Sequence, residues 1–204
     1  MFYKQSNTQA GLTLIETLMV ISIMTILSGV LFSSIFSLYR YNANAFAQAQ
    51  EVNNARRGLN TLTRDLREMT YAEDGTFPVV RMENHFMSFY SDIDRDENVE
   101  YVEYELASTT LYKRTHNPTG NPPVYNFSTP DQIETLSVFV QNNLQATSTF
   151  TYFDTNGTQL TVGSLLTDVR YVRAQIIVNI DPIGSPGEFM LRTSVAPRNL
   201  KDNL

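Results

Sequence analysis

An uncharged stretch near the N-terminus constrains the fold of this chain more than any other feature. No residue from Thr17 to Tyr39 is charged, and Leu, Ile, Met and Val dominate these 23 residues. About 20 such residues suffice for a helix to span the core of a bilayer. Glu16 stands immediately before the stretch, although a charge within a membrane helix is costly and usually functional. The sequence therefore predicts a membrane helix with an acid in its first turn.

Three simpler interpretations of this segment are possible. A secretory signal peptide has a shorter apolar core that ends in a small-residue cleavage site, and no such site follows this run. A plain signal anchor accounts for the apolar run and leaves Glu16 unexplained. The third interpretation is that Glu16 lies near the membrane interface and is merely tolerated there, and physical grounds alone leave it open.

The residues GLTLIE, from Gly11 to Glu16, together with the apolar run, resemble the class III signal of type IV pilins and pseudopilins. In that family a prepilin peptidase cuts after the glycine and methylates the new amino terminus. The resemblance implies a leader of residues 1–11, cleavage between Gly11 and Leu12, and N-methylation of Leu12. Leu12 stands where the family usually has Phe, and Glu16 takes the fifth mature position, where the family has its Glu.

The resemblance also implies a role for Glu16 in assembly. Cleavage would make Leu12 a cationic terminus, and residues four apart share one face of a helix. Pairing relieves the cost of burying either charge alone. We therefore expect Glu16 to set the register of assembly by pairing with the amine of a neighbouring subunit. Before assembly, the same pair can form within one chain.

A helical pattern continues beyond the membrane segment. Apolar residues recur there at spacings of three and four: Val52, Ala55, Leu59, Leu62, Leu66 and Met69. The pattern predicts one helix from Leu12 to about Met69, whose second half packs on the protein's own sheet. A coiled coil with a partner is the alternative, but the stripe covers fewer than three heptads. Gly58 within the helix indicates close packing or a bend.

Short alternating runs separated by turn residues begin at Thr76 and predict antiparallel strands. The predicted strands cover residues 86–92, 99–106, 110–115, 135–143, 147–154, 169–181 and 188–200. The fold class is therefore α+β, a long N-terminal helix followed by an antiparallel β-sheet domain. This layout resembles the minor pseudopilins of type II secretion, J class, and the PilW-like minor pilins.

Four segments are expected along the chain. Residues 1–11 form the prepilin leader, and residues 12–39 form the transmembrane half of the helix, which becomes the filament core. Residues 40–70 form the amphipathic half that packs on the sheet. Residues 71–204 form the β-rich globular domain.

An acidic segment, DIDRDENVEYVE, is the strongest candidate metal site. Asp92, Asp94, Asp96 and Asn98 alternate as the first ligands of an EF-hand loop do, and such hard oxygen ligands favour calcium. The sixth position, where the sharp turn needs Gly, is Glu97, and the flanking residues favour strands. The sequence requires no cofactor: a solvated acidic turn accounts for this segment, and calcium at these four residues is the candidate set against it.

Motifs for catalysis are absent from the sequence. His85 and His116, the two histidines, have no metal-ligand spacing, and the absence of cysteine excludes disulfides and thiolate sites. A net charge of −6 argues against nucleic-acid binding. The triplets NFS and NGT match N-glycosylation sequons, which carry little weight in a bacterial protein. We expect a protein that is not an enzyme.

The sequence predicts a non-catalytic subunit of a type IV pilus or a type II secretion pseudopilus, in a minor role at initiation or at the tip. Its expected partners are prepilin peptidase, other pilins or pseudopilins, the inner-membrane assembly platform and, before assembly, membrane lipid. The expected location is the bacterial inner membrane with the N-terminus inside, then a periplasmic or extracellular filament. The alternative is a membrane-anchored, calcium-dependent surface binding domain that does not polymerise, for which Glu16 has no use.

Overall fold

The computed structural model describes residues 11, 13–96, 98–184, 186–198 and 200. These residues fall into two compact units, one that ends at Ala43 and one that starts at Asn44. One long helix is followed by antiparallel strands, which is the predicted α+β class. The elements are α1 (Leu14–Arg67), β1 (Val79–Met82), β2 (Phe86–Ser91), β3 (Glu100–Ala107), β4 (Thr110–His116), β5 (Gln132–Ser137), β6 (Phe150–Phe153), β7 (Gln159–Leu160), a short 3-10 helix (Leu166–Asp168), β8 (Tyr171–Val178) and β9 (Phe189–Val195).

The first unit contains the apolar part of α1. By length and composition this helix can cross a membrane, and every side chain from Thr13 to Ala43 is exposed. The hydroxyl groups of Ser22 and Thr25 donate to the carbonyls of Leu18 and Ile21, one turn earlier. These bonds satisfy the polar groups within the helix, as a lipid environment requires.

The second unit contains two antiparallel sheets and the rest of α1. The first sheet has the strand order β1-β2-β3-β4-β5, and the second has the order β7-β6-β8-β9. A single core joins both sheets to the helix. The apolar stripe lies in this core, because Ala55, Leu59, Leu62 and Leu66 of α1 are buried, as is Met69 just after the helix. The prediction that the stripe packs on the protein's own sheet is confirmed.

Alternation along β3 also agrees with the sequence. Val102, Tyr104 and Leu106 are buried in the core, whereas Glu103 lies on the opposite face and is partly exposed. The rings of Tyr104 and Phe89 stack with their centroids 6.0 Å apart. The core face of the first sheet is therefore built from alternate residues, as a period of two requires.

The observed strands differ from the prediction in number and in extent, and β6, β8 and β9 are each shorter than the predicted ranges 147–154, 169–181 and 188–200. Neither β1 nor β7 is predicted, since each is short. The strand predicted over residues 135–143 is wrong in extent, because β5 starts earlier and ends at Ser137. Phe139 adopts a left-handed φ of 55°, and beyond it Val140 pairs with Val178 of β8 through an isolated bridge. The chain thus leaves the first sheet for the second at Phe139.

Buried polar groups attach α1 to the first sheet. Asp65, which has no exposed surface, accepts hydrogen bonds from Tyr104 Oη at 2.7 Å and from Lys113 Nζ at 2.5 Å. Arg64 donates to the other oxygen of the same carboxylate at 3.1 Å. The Asp65 carbonyl accepts a bond from Ser91 Oγ. The last turns of the helix are therefore held against β2, β3 and β4.

Two further contacts fix the helix earlier in its course. Glu51 accepts hydrogen bonds from Ser137 Oγ at 3.0 Å and from the Val138 amide at 2.7 Å. At Gly58 the helix comes so close to β5 that an added Cβ would lie 2.9 Å from Leu136 Cβ. Of the two alternatives for this glycine, close packing and a bend, the structure supports close packing.

Candidate functional site

The N-terminal end of α1 is closed by a reciprocal pair of side chains. The Thr13 amide donates to Glu16 Oε2 at 3.1 Å, and the Glu16 amide donates to Thr13 Oγ1 at 3.3 Å. The Thr13 hydroxyl adds a third bond, to Glu16 Oε2 at 3.2 Å. This is a capping box, with Thr13 as the N-cap and Glu16 three residues later. The negative charge also lies at the positive end of the helix dipole, which is favourable.

Gly11 is the described residue that precedes the predicted cleavage site. Gly11 is exposed, and no described atom comes within 4 Å of a Cβ placed on it. Leu12 lies outside the described residues, so its pairing with Glu16 stays a prediction. In the structure the Glu16 carboxylate is engaged with Thr13, the second residue after the predicted scissile bond.

Comparison with known families matches residues 6–32 to the prokaryotic N-terminal methylation motif. The matched range includes Gly11, Glu16 and the first part of the apolar helix. The chain carries a class III prepilin signal, that of type IV pilins and pseudopilins. No curated protein sequence matches the chain. Proteins with this motif are typically structural, and the exposed apolar helix fits anchoring in the inner membrane.

A second candidate site of the chain is the acidic loop between β2 and β3. One carboxylate oxygen from each of Asp92, Asp94 and Glu100 lies within 4.8 Å of the others. Of the predicted set, Asp92 and Asp94 are thus brought together. Asp96 is not part of this group, and its Oδ1 accepts a bond from the Asn98 amide at 2.9 Å. Glu97 lies outside the described residues.

Electrostatics in this loop centre on Glu100, the first residue of β3. Its side chain is buried, and Oε2 accepts a hydrogen bond from the Ile93 amide at 2.9 Å. Burial raises the pKa of Glu100 to about 7, the Ile93 amide opposes this rise, and the charges of Asp94 and Asp96 add to it. A cation beside these carboxylates would favour the ionised form of Glu100.

The loop is held in place by a hydrogen bond within it and by an ion pair with the residue that follows α1. Arg95 adopts a left-handed φ of 64°, and its amide donates to Asp92 Oδ1 at 2.7 Å. The Arg95 guanidinium forms an ion pair of 2.7 Å with the carboxylate of Glu68, the first residue after α1. These contacts turn the Asp92 and Asp94 side of the loop back toward Glu100.

The spacing of the three carboxylates is compatible with calcium. Calcium binds six to eight oxygens at about 2.3–2.6 Å, so two oxygens on one ion lie within about 5 Å of each other. Three carboxylates supply the charge that such a site needs, and water would complete the shell. Calcium at this loop stays a prediction. Glu100 is a better third ligand than Asp96, because its carboxylate lies near those of Asp92 and Asp94.

Each of the two histidines makes a hydrogen bond that connects parts of the β domain. His85 Nδ1 is 3.0 Å from Thr149 Oγ1, and burial lowers the pKa of His85. His116 Nδ1 donates to the Asn126 carbonyl at 2.7 Å, which ties β4 to the loop that follows it. Neither histidine is in the acidic group of the described residues.

Sequence reasoning missed three residues that the structure makes prominent. Thr13 was detectable, because T-x-x-E before an apolar run is the signature of a capping box. Glu100 was visible in the acidic segment but carries no marker of burial. Asp65 stands at the edge of the apolar stripe, and nothing in the local sequence identifies Lys113 and Tyr104 as its partners.

Proposed function

We propose that this prepilin is a non-catalytic subunit of a type IV pilus or a type II secretion pseudopilus, in a minor role at initiation or at the tip. The observation that carries the proposal is the methylation motif over residues 6–32, which ends within an exposed apolar helix. A β domain on a membrane helix is the layout of J-class minor pseudopilins and PilW-like minor pilins. Prepilin peptidase, other pilins and the inner-membrane assembly platform are its partners.

Processing is the first step of this function. Prepilin peptidase cuts between Gly11 and Leu12 and methylates the Leu12 amine, which removes residues 1–11. Support comes from Gly11, which is exposed and has no described atom within 4 Å of a Cβ placed on it. The N-terminus lies inside, and the domain after the helix lies outside the cytoplasm.

The test of processing is the mass of the mature protein. We expect the chain purified from a host with prepilin peptidase to begin at a methylated Leu12. Gly11→Lys blocks cleavage, because a long charged side chain replaces a hydrogen atom at the scissile bond, whereas Gly11→Ala is cleaved at least in part. A Gly11→Lys chain that still begins at Leu12 would remove this step from the proposal.

Assembly is the second step, and Glu16 carries it. In an apolar bundle of helices, an unpaired carboxylate is costly, and the amine of an incoming subunit relieves that cost. Glu16→Ala therefore leaves processing intact and lowers the amount of the chain in sheared filaments. Thr17→Ala is the matched control, since its hydroxyl bonds only within the helix, to the Leu14 carbonyl. Equal incorporation of the two variants would refute the role of Glu16.

The alternative function is a membrane-anchored surface domain that binds its target with calcium and does not polymerise. The convergence of Asp92, Asp94 and Glu100 is the observation that favours it. The two functions differ in one measurement. A filament subunit is recovered with sheared filaments in a Glu16-dependent manner, whereas an anchored domain stays in the membrane fraction whatever residue stands at position 16.

A further inference from the structure

The turn between β6 and β7 displays an asparagine in an unusually defined setting. Asp154 Oδ1 accepts hydrogen bonds from the Asn156 amide at 2.8 Å and from the Thr158 amide at 2.7 Å. Backbone bonds join Asp154 to Thr158 and Gly157 to Asp154, and Gly157 has the φ of 79° that such turns require. The turn thus projects Asn156 from the end of the β6–β7 hairpin.

The side chain of Asn156 is free to react. Residues 155–159 are exposed, and among the described residues no hydrogen bond of the Asn156 carboxamide is found. Thr158 supplies a hydroxyl two residues after the asparagine, and Gly157 between them adds no bulk. Asn-x-Thr with an intervening residue other than proline is the acceptor pattern for N-linked glycans.

The other sequon of the chain is held differently. Asn126 Nδ2 donates to Thr129 Oγ1 at 2.6 Å, and Asn126 Oδ1 accepts from the Ser128 amide at 3.0 Å. The ring of Phe127, the middle residue of this sequon, packs edge-on against Tyr101 with centroids 4.8 Å apart. An enzyme would have to break these contacts before it could reach the Asn126 amide.

We propose that Asn156 is an acceptor site for N-linked glycan transfer and that Asn126 is not. The donor is an oligosaccharide on a lipid diphosphate. Asn156 Nδ2 bonds to the anomeric carbon of the first sugar, while the bond from that carbon to the diphosphate oxygen breaks. A proton leaves the amide nitrogen for a base of the enzyme, and the lipid diphosphate is the leaving group.

The location of the domain fits this chemistry. Lipid-linked donors are used on the outer side of the membrane, and the globular unit lies there in the proposed topology, on which the cellular relevance of the site rests. A glycan at an exposed hairpin end would add bulk and solubility at that point on the surface.

The test uses the purified full chain in detergent, a purified bacterial oligosaccharyltransferase and its lipid-linked oligosaccharide. A flexible sequon appended to the C-terminus reports that the reaction works, and the reaction requires neither export nor filament assembly. We expect mass spectrometry to place one glycan on Asn156 and one on the appended sequon. Asn156→Gln and Thr158→Val lose the first glycan, whereas Thr158→Ser and Asn126→Gln keep it.

Two results would overturn the proposal. One is a glycan on the appended sequon with none on Asn156, and the other is a glycan on Asn126 in place of Asn156. Equal melting temperatures of the variants and the parent chain exclude unfolding as the cause of any change. Failure here leaves the prepilin function intact, because cleavage after Gly11 is measured separately.

Discussion

The carboxylate of Asp65 and the ammonium of Lys113 lie 2.5 Å apart with almost no contact with solvent. Asp65 belongs to α1 and Lys113 to β4, so the pair crosses the core from helix to sheet. Tyr104 donates to the same oxygen that Lys113 contacts. A buried pair of this kind is costly to break from one side, because the remaining charge stays in the interior without compensation.

Removal of one member of this pair should destabilise the globular unit strongly. We expect Asp65→Ala to lower the free energy of unfolding by about 3–5 kcal/mol, since Lys113 is left unpaired. Glu83→Ala, which breaks the exposed pair with Arg81, should cost less than about 1 kcal/mol. Chemical denaturation of the full chain in mild detergent measures both. Similar losses in the two variants would show that burial does not govern this pair.

Periodicity was enough to predict the main elements of the fold. The stripe from Ala55 to Met69 and the alternation of Val102, Tyr104 and Leu106 each report one apolar face, and local pattern determines such faces. The membrane helix was equally clear, because no charge interrupts it.

Contacts between residues far apart in the chain could not be predicted from the sequence. Asp65 meets Lys113 across 48 positions, and the partners of Glu51 lie 86 and 87 positions away. Likewise, the acidic alternation marked Asp92 and Asp94, but the chain reversal at Arg95 selects Glu100 over Asp96 as their neighbour. A period of two cannot anticipate a left-handed residue within a loop.

Substitution of Gly58 tests the close approach of α1 to β5. Alanine is a better helix former by about 1 kcal/mol, yet its methyl group would lie 2.9 Å from Leu136 Cβ. Overpacking of this kind costs about 1–3 kcal/mol, so we expect Gly58→Ala to lower the melting temperature. Gly29→Ala is the control, because no described atom lies within 4 Å of its Cβ position. A gain in stability at Gly58 would mean that β5 moves aside freely.

The pKa of Glu100 predicts a pH dependence of stability in the presence of a chelator. Below about pH 4.5 Glu100 is protonated in both the folded and the unfolded chain, and it adds no penalty. Between that pH and about 7 the unfolded chain releases the proton and the folded chain keeps it, so stability falls as pH rises. The full loss, at most about 3 kcal/mol, is present above pH 7.

Glu100→Gln should remove this part of the pH dependence. The comparison is the difference in unfolding free energy between variant and parent chain from pH 4 to pH 8, with Asp92 and Asp94 unchanged in both. We expect the unfolding free energy of the variant to increase relative to that of the parent chain as pH rises. A difference that stays constant across this range would show that Glu100 ionises normally.

Calcium binding separates the two possible ligand sets. If Asp92, Asp94 and Glu100 hold the ion, Asp92→Asn should weaken binding about tenfold or more, because ligand charge sets calcium affinity. Asp96→Asn should change it little, since Asp96 is turned toward the Asn98 amide. Isothermal titration of the full chain with calcium alone measures both. Equal losses would favour the set predicted from sequence, and no heat in the parent chain would favour the solvated turn.

The capping box predicts how the start of α1 behaves before assembly. Thr13→Val keeps the size of the side chain and removes its hydroxyl. This hydroxyl accepts a hydrogen bond from the Glu16 amide and donates one to Glu16 Oε2. Loss of an N-cap costs about 0.5–2 kcal/mol, so the first turn should open more often. Amide hydrogen exchange of the full chain in micelles should then be about two- to thirtyfold faster at Glu16. Thr13→Ser keeps the hydroxyl and the protection. Thr25→Val is the control, because the bond that it loses lies within the helix, and exchange at Glu16 should be unchanged. Faster exchange at Glu16 in this control would contradict the role of the cap. It would mean that loss of a hydroxyl anywhere in the helix opens the first turn.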